Sequence, residues 1–185
     1  MSPRRFIRSD RGNAGVEFAL VLPMLIVLMF GGFEAGNFVW NEHKLVEAVR
    51  DGARFASRYP VSTFCDGERA KPATDATYAD AVDVIKFYTR TGRMPGSDQQ
   101  ANAAVLPRVP NWTSDSQVTF DPGCGKFVRT GIYGALTNEA GDAGQAGPLA
   151  SISASVPYRS LFHGLGFPSV GIVLRARSNV AVIGL

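Results

Sequence analysis

The sequence predicts an α+β protein in which one long N-terminal helix, membrane-spanning in its lower half and soluble in its upper half, packs on a small antiparallel sheet. Three observations carry that prediction. Residues 18–33 (FALVLPMLIVLMFGGF) form a strongly apolar run without a charge. A helical apolar repeat then continues past the run, to residue 57. Beyond it, short segments alternate apolar and polar side chains between glycine and proline turns, the period of half-buried strands.

Extended to Trp40, the apolar run admits only Glu34 and Asn37 as strongly polar residues, and its roughly 23 residues make about 34 Å of helix. A hydrocarbon core of roughly 30 Å is crossed by that length, so a span is expected at about 16–40. Phe38 and Trp40 suit the outer headgroup belt. Arg4, Arg5, Arg8 and Arg11 precede the span; positive flanks stay in the cytoplasm, which places the C-terminal bulk outside. Pro23 lacks the donor that a helix interior needs, and it predicts a kink relieved by packing on neighbouring helices. A secretory signal peptide shares the basic start and apolar middle. Its small-residue cleavage pattern is poorly met, since Phe33-Glu34-Ala35 carries a ring where a small side chain is wanted. Arg4-Arg5 only weakly echoes a twin-arginine signal.

Glu17 lies at the mouth of the run, five places after Gly12. At a helix centre in a membrane an acid costs roughly 2.5–3.5 kcal/mol, so it usually has a partner or a role. At the edge it is also compatible with an ordinary interfacial acid near Arg8 and Arg11. Glu34 lies about 25 Å further along the helix, near the opposite interface.

Leu45, Val49, Ala53 and Ala56 recur at helical spacing and form one apolar stripe through residues 41–57, with Glu42, Lys44, Glu47, Arg50, Asp51 and Arg54 on the wet side. Gly52, Ala53 and Ala56 permit another surface to approach closely. Tyr59-Pro60 ends the pattern, because a residue before proline avoids the helical region. One helix over 13–59 is the simplest reading; two helices broken at Gly31-Gly32 is the alternative. The globular part is then 60–185.

Within that part, residues 75–91 (DATYADAVDVIKFYTRT) predict an amphipathic helix with Tyr78, Val82, Ile85 and Tyr88 or Thr89 on one side, Asp75 or Thr74 as cap and Gly92 as stop. Residues 93–115, with three prolines, read as irregular. Strands are expected at 117–120, 126–133, 150–158 and 172–183, and an exposed loop at 137–148. The apolar loop 161–167 (LFHGLGF) is expected to be buried against the sheet; exposure would make it a contact or membrane-touching patch.

Cys65 and Cys124 both fall in the part placed outside, where an even count favours a disulfide over a loop of about 60 residues. Free thiols and metal ligation are the alternatives, although no Cys-x-x-Cys is present and His43 and His163 stand alone. No metal or cofactor is expected. Catalytic patterns are equally lacking. There is no Gly-x-Ser-x-Gly and no Walker loop, and Gly164-Leu165-Gly166 lacks the flanking strand and helix of a nucleotide site. Asp80 and Asp83 read as solvated helix residues. Neither a small-molecule substrate nor an enzymatic activity is expected. Nucleic acid is not expected either: removing the four arginines and one aspartate of residues 1–12 from the 19 basic and 16 acidic residues leaves 15 of each, so the basic balance belongs to the N-terminal tail.

The string RGNAGVEFALVLPMLIVLMFGGFEAGNF, followed by EAVRDGARFAS, resembles the TadE-like proteins of the Flp (tight-adherence) pilus, pseudopilins or minor pilins of the type IVb class. The matching elements are Arg11-Gly12, Glu17-Phe18, Ala19-Leu20, Leu22-Pro23, Glu34, Arg50, Gly52-Ala53-Arg54, Phe55 and Ala56, over about the first third of the chain. The resemblance implies a pilin-like fold and a structural subunit held in the bacterial inner membrane by a single pass. It implies a basic leader, 1–12, cut by a prepilin peptidase between Gly12 and Asn13, with Glu17 as fifth mature residue. It also implies assembly with other pilins or pseudopilins and the pilus machinery through Glu17, Phe18 and Pro23, and helix packing through Glu34, Gly52, Ala53, Arg54 and Ala56. In that family the glutamate is thought to meet the free N-terminal ammonium of a neighbouring subunit. Asn13 stands where many type IV pilins carry an aromatic residue or methionine. A permanently anchored extracytoplasmic binding or scaffold protein that never enters a filament is the alternative, and cleavage separates the two.

Overall fold

The computed structural model describes residues 13–67, 69–124, 149–163 and 171–182. Its first element, α1 (Asn13–Ala56), is one helix of 44 residues, about 66 Å long at 1.5 Å per residue. Gly31 and Gly32 stand inside it without breaking it. α1 also runs through Pro23, which supplies no N–H and so leaves the Ala19 carbonyl without its helical donor. The helix ends at Ala56, short of the expected Tyr59. Arg58 and Tyr59 donate their N–H groups to Phe55 and Ala56 three residues back, each at 3.2 Å. That tight turn delivers the chain to Pro60.

The stripe on the upper half of α1 is the centre of the core: Leu45, Ala48, Val49, Ala53 and Ala56 are almost wholly buried. A short helix α2 (Val61–Phe64) and a two-residue hairpin, β1 (Cys65–Asp66) with β2 (Arg69–Ala70), follow it. α3 (Ala76–Thr91) then returns against α1. Its boundaries follow from two side-chain choices. The Asp75 carboxylate accepts from the Tyr78 N–H at 3.1 Å, and Gly92 adopts φ 73°, the left-handed turn that glycine enters without a Cβ penalty.

The two helices touch at Gly52. A Cβ there would overlap the side chain of Thr89, which is fully buried and donates its hydroxyl to the Ile85 carbonyl at 2.7 Å. Arg108 locks the same junction from its rim. Its guanidinium donates to Asp51 Oδ2 of α1 at 2.7 Å and lies 6.0 Å from the centre of the Tyr88 ring of α3, while its N–H donates to the Arg90 carbonyl at 2.9 Å.

Residues 93–115 are less irregular than the three prolines imply. They contain α4 (Gln99–Ala103), started by the Asp98 carboxylate, which accepts from the Gln100 N–H at 2.8 Å. This helix buries no side chain, and without an apolar period its only sequence signal is the cap. The same stretch supplies Val109 and Trp112 to the core, both nearly inaccessible. A 3-10 turn (Asp115–Gln117) with a Ser114–Gln117 capping box leads into the sheet.

That sheet is antiparallel, in the order β3 (Val118–Gly123), β4 (Leu149–Pro157), β5 (Val173–Ala181). Phe120 pairs with Ile152, and Ala154 with Ala176. Ala150, Ile152, Ala154 and Val156 of β4 point into the core, whereas Ser155 faces out. Ser151, also buried, accepts from Arg177 Nε of β5 at 2.9 Å. β4 and β5 lie on α1, and β3 on α3. Cys65 and Cys124 are disulfide-bonded, their Cα atoms 5.8 Å apart, tying β1 to the residue that follows β3. The strand expected at 126–133 and the loop expected at 137–148 lie outside the described residues.

The loop after β4 departs from the expected burial against the sheet. Leu161 is 58% exposed, and Phe162 packs edge-on against Phe30 of α1 at 4.8 Å between ring centres. The helix, rather than the sheet, is the nearer apolar surface once Tyr158 has turned the chain toward it. Residues 164–167 of that loop lie outside the described residues.

Candidate assembly surface

Every residue from 14 to 29 is exposed. Phe18, Leu20, Met24, Val27 and Leu28 show 60% or more of their surface. Burying one such side chain stabilises by roughly 1.5–3 kcal/mol, so an uncovered apolar helix calls for lipid or a partner. By length and composition, α1 is the one helix among the described residues able to cross a membrane. Glu17 and Phe18 lie in its second turn, and Pro23 six residues above Glu17. Asn13 is the first residue of the helix and, four places from Glu17, sits one turn below it, about 6 Å along the axis. Gly12 lies outside the described residues.

At the other end of the bare segment the helix is fastened to its own globular part. The Tyr158 hydroxyl donates to Glu34 Oε1 at 2.7 Å, and the Leu161 N–H donates to Glu34 Oε2 at 3.1 Å. Asn37 Nδ2 donates to the Tyr158 hydroxyl oxygen at 2.8 Å. Asn41, nearly buried, donates back to the Asn37 side-chain oxygen at 2.9 Å. Phe38 meets the Tyr158 ring edge-on at 5.2 Å. Glu34 therefore has a local structural role that its position near an interface did not disclose. Tyr158 lies 124 residues away, and no sequence spacing joins the two. The helix side of the clasp did carry a signal: Glu34, Asn37 and Asn41, at intervals of three and four, form one polar face.

Burial raises the Tyr158 pKa above its ordinary 10.0, and the hydrogen bond and negative charge of Glu34 raise it further, against a smaller lowering by Asn37. A tyrosine whose folded pKa is raised contributes stability that is fully present below the unfolded value and is lost as pH climbs through the folded one. Tyr59 and Tyr78 are raised as well, both by burial and Tyr78 also by Asp121. Tyr158→Phe is thus expected to cost about 2 kcal/mol at pH 7, the worth of a hydrogen bond to a charged group, and to flatten, without abolishing, the loss of stability above pH 10. Urea denaturation of the detergent-solubilised chain at pH 7 and at successive alkaline pH values checks both; an unchanged alkaline slope would detach Tyr158 from it.

The small residues of the upper half have separate places. Gly52 and Ala53 are buried, with Gly52 against Thr89, and Ala56 is buried in the core. Arg54 is exposed, and its carbonyl accepts from the Ser57 hydroxyl at 2.8 Å. The long helix thus joins an uncovered apolar half bearing one acid to a half that holds a domain.

Residues 12–54 match the model of the TadE-like protein family. The TadE-like segment takes in the bare half of α1, Glu17, Phe18, Pro23, the Glu34 clasp and the Gly52 junction; Ala56 lies just beyond it. Comparisons with curated proteins and with solved structures gave no match. The TadE-like match implies a protein associated with the Tad pilus, a generally non-enzymatic role. Among the described residues no cluster of histidine, cysteine, aspartate or glutamate has a metal-binding arrangement.

Proposed function

We propose that this chain is a pseudopilin- or minor-pilin-like structural subunit of a Flp/Tad (type IVb) pilus. It is stored in the inner membrane with its N-terminus cytoplasmic and its globular part outside, trimmed by prepilin peptidase between Gly12 and Asn13, and assembled with other pilins through α1. One observation carries this reading: a single helix exposes apolar side chains on every side over residues 14–29 and then continues without interruption into the core of a domain. A subunit that moves from lipid into a helical bundle needs such a stem, because lipid and neighbouring stems present similar apolar surroundings.

Glu17 gives the stem a register. After cleavage the new ammonium at Asn13 and the Glu17 carboxylate are within a turn of one another on each chain. A contact between chains satisfies both charges while it also buries helix surface, whereas a contact within one chain buries none. The TadE-like match, which starts at Gly12 and includes both residues, supports this reading.

N-terminal sequencing of the chain isolated from cells with and without their prepilin peptidase tests the proposal. Asn13 is expected as the first residue only when the enzyme is present. An N-terminus preceding residue 12 in both strains would instead leave the chain a permanently anchored extracytoplasmic protein.

A further inference from the structure

We propose that the lower rim of the globular part, formed by Leu161, Phe162, Ile172 and Val173, is seated in the outer leaflet of the membrane that α1 crosses, with Arg159 and His163 among the lipid headgroups. The inference rests on the membrane-stored reading of α1 and goes beyond it. It makes the domain, as well as its stem, a lipid-binding surface.

The first argument is length. The sixteen residues 14–29, exposed on all sides, make about 24 Å of helix. A hydrocarbon core of roughly 30 Å takes about 20 residues. The next turn, 30–33, therefore also lies at hydrocarbon depth, and the Phe162 ring is packed on Phe30. The loop after β4 reaches down into the layer that the helix crosses.

Surface chemistry agrees. Beyond α1, the exposed large apolar side chains among the described residues are Met94, Leu106, Leu161, Ile172 and Val173, and the last three gather at this end. Val173 pairs with Pro157 at the end of β4, and the Tyr158 N–H donates to the Ile172 carbonyl at 2.9 Å. In water such a cluster is unfavourable; in a leaflet it is solvated.

Backbone and charge are handled as lipid contact requires. Glu34, one turn above Phe30, has its carboxylate held by the Tyr158 hydroxyl and the Leu161 N–H, so neither the acid nor the turning backbone meets lipid unpaired. Asn37 is seven residues above Phe30, about 10 Å higher, at headgroup depth. There a shallow cleft of about 300 Å³ is lined by Asn37, Asn41, Arg159, Ser160 and His163. Arg159 and His163 are exposed, and Trp40 is 60% exposed on the same stretch of helix. A cation is attracted to anionic headgroups, and an interfacial tryptophan suits the same layer.

Nitroxide labelling of the full chain tests this. Cys65 and Cys124 are the only cysteines and are paired, so Leu161→Cys and Ile172→Cys each give one free thiol for the label. Val27→Cys in the bare stem and Arg54→Cys at the exposed top of α1 serve as references. Each labelled chain is placed singly in nanodiscs of phosphatidylethanolamine and phosphatidylglycerol, and collisions with oxygen and with a water-soluble nickel chelate are compared. The expected result is loss of chelate accessibility at 161 and 172 to nearly the level at 27, with 54 fully accessible. Chelate access at 161 and 172 as high as at 54, with 27 protected, would overturn the seated rim and leave the spanning helix standing. Access at 27 as well would remove the membrane reading itself. Protection at 161 that arises only when several chains share one vesicle would assign the rim to a second copy and overturn its assignment to lipid.

Discussion

Replacing Cys65 and Cys124 together by alanine is expected to lower the unfolding free energy of the globular part by about 4 kcal/mol. The bridge joins residues 59 apart in sequence, and in the chain-entropy model a loop of that size restricts the unfolded chain by roughly this amount. Its position increases its importance. β3 is an outer strand of a three-stranded sheet, and the bridge ties its end to β1, which directly follows the buried Phe64. Phe64 in turn meets Phe120 of β3 at 4.9 Å between ring centres and Tyr78 of α3 at 6.4 Å. Loss of the bridge removes a restraint on a junction where α2, α3 and β3 converge. Urea denaturation of the wild-type and double-alanine chains should show a lower midpoint and a steeper slope, because the unfolded chain without the bridge is less compact and exposes more surface. A difference below about 1 kcal/mol would show that the reduced, unfolded chain already holds these segments together. The cysteines are only 5% and 7% exposed, so the double substitution is a cleaner test than adding reductant to the folded protein.

Where local rules sufficed, the fold was legible in the sequence. The stripe Leu45, Val49, Ala53 and Ala56 states its own period, and α3 is bounded by Asp75 and Gly92, residues whose side chain or lack of one does the capping. The alternation in 150–158 likewise gave β4 within one residue at each end. What escaped was determined by contacts across the chain. Trp112 and Val109 lie among prolines with no repeat around them, yet Trp112 is the largest fully buried side chain. Among the described residues its indole N–H has no hydrogen-bond partner. The Arg108–Asp51 pair and the Glu34–Tyr158 clasp each unite residues that no spacing rule connects. The loop at 161 departs from expectation for the same reason: its composition says apolar, but whether sheet, helix or lipid receives it depends on where the preceding tyrosine is tethered.

For the proposed assembly site, Glu17 stands out in the sequence because an acid at the mouth of an apolar run is anomalous in one dimension already. Glu17→Ala is expected to leave the chain in the membrane and to abolish its recovery in sheared filaments. Insertion should be no worse, since removing an acid from the edge of a span takes away a transfer cost, at most the roughly 2.5–3.5 kcal/mol of a central position. Assembly is different. If the processed ammonium of a neighbouring chain is buried against this carboxylate, deleting one partner strands the other in an apolar core, a loss of about 3–5 kcal/mol for a buried pair. At 1.4 kcal/mol per tenfold, that lowers incorporation by roughly two to three and a half orders of magnitude. Glu17→Asp keeps the charge but shortens its reach by one methylene, and partial recovery is expected from it. Filament and membrane fractions probed in parallel measure both quantities. Wild-type amounts of Glu17→Ala chain in filaments would dismiss the carboxylate as a pairing group and leave it an interfacial acid. The Glu34 clasp supplies the internal contrast. Its carboxylate accepts from Tyr158 and Leu161 of the globular part at 2.7 and 3.1 Å, so Glu34→Gln should perturb the domain's seating on α1 before it perturbs assembly. Glu17 and Glu34 are thereby separable by which fraction of the cell registers their loss.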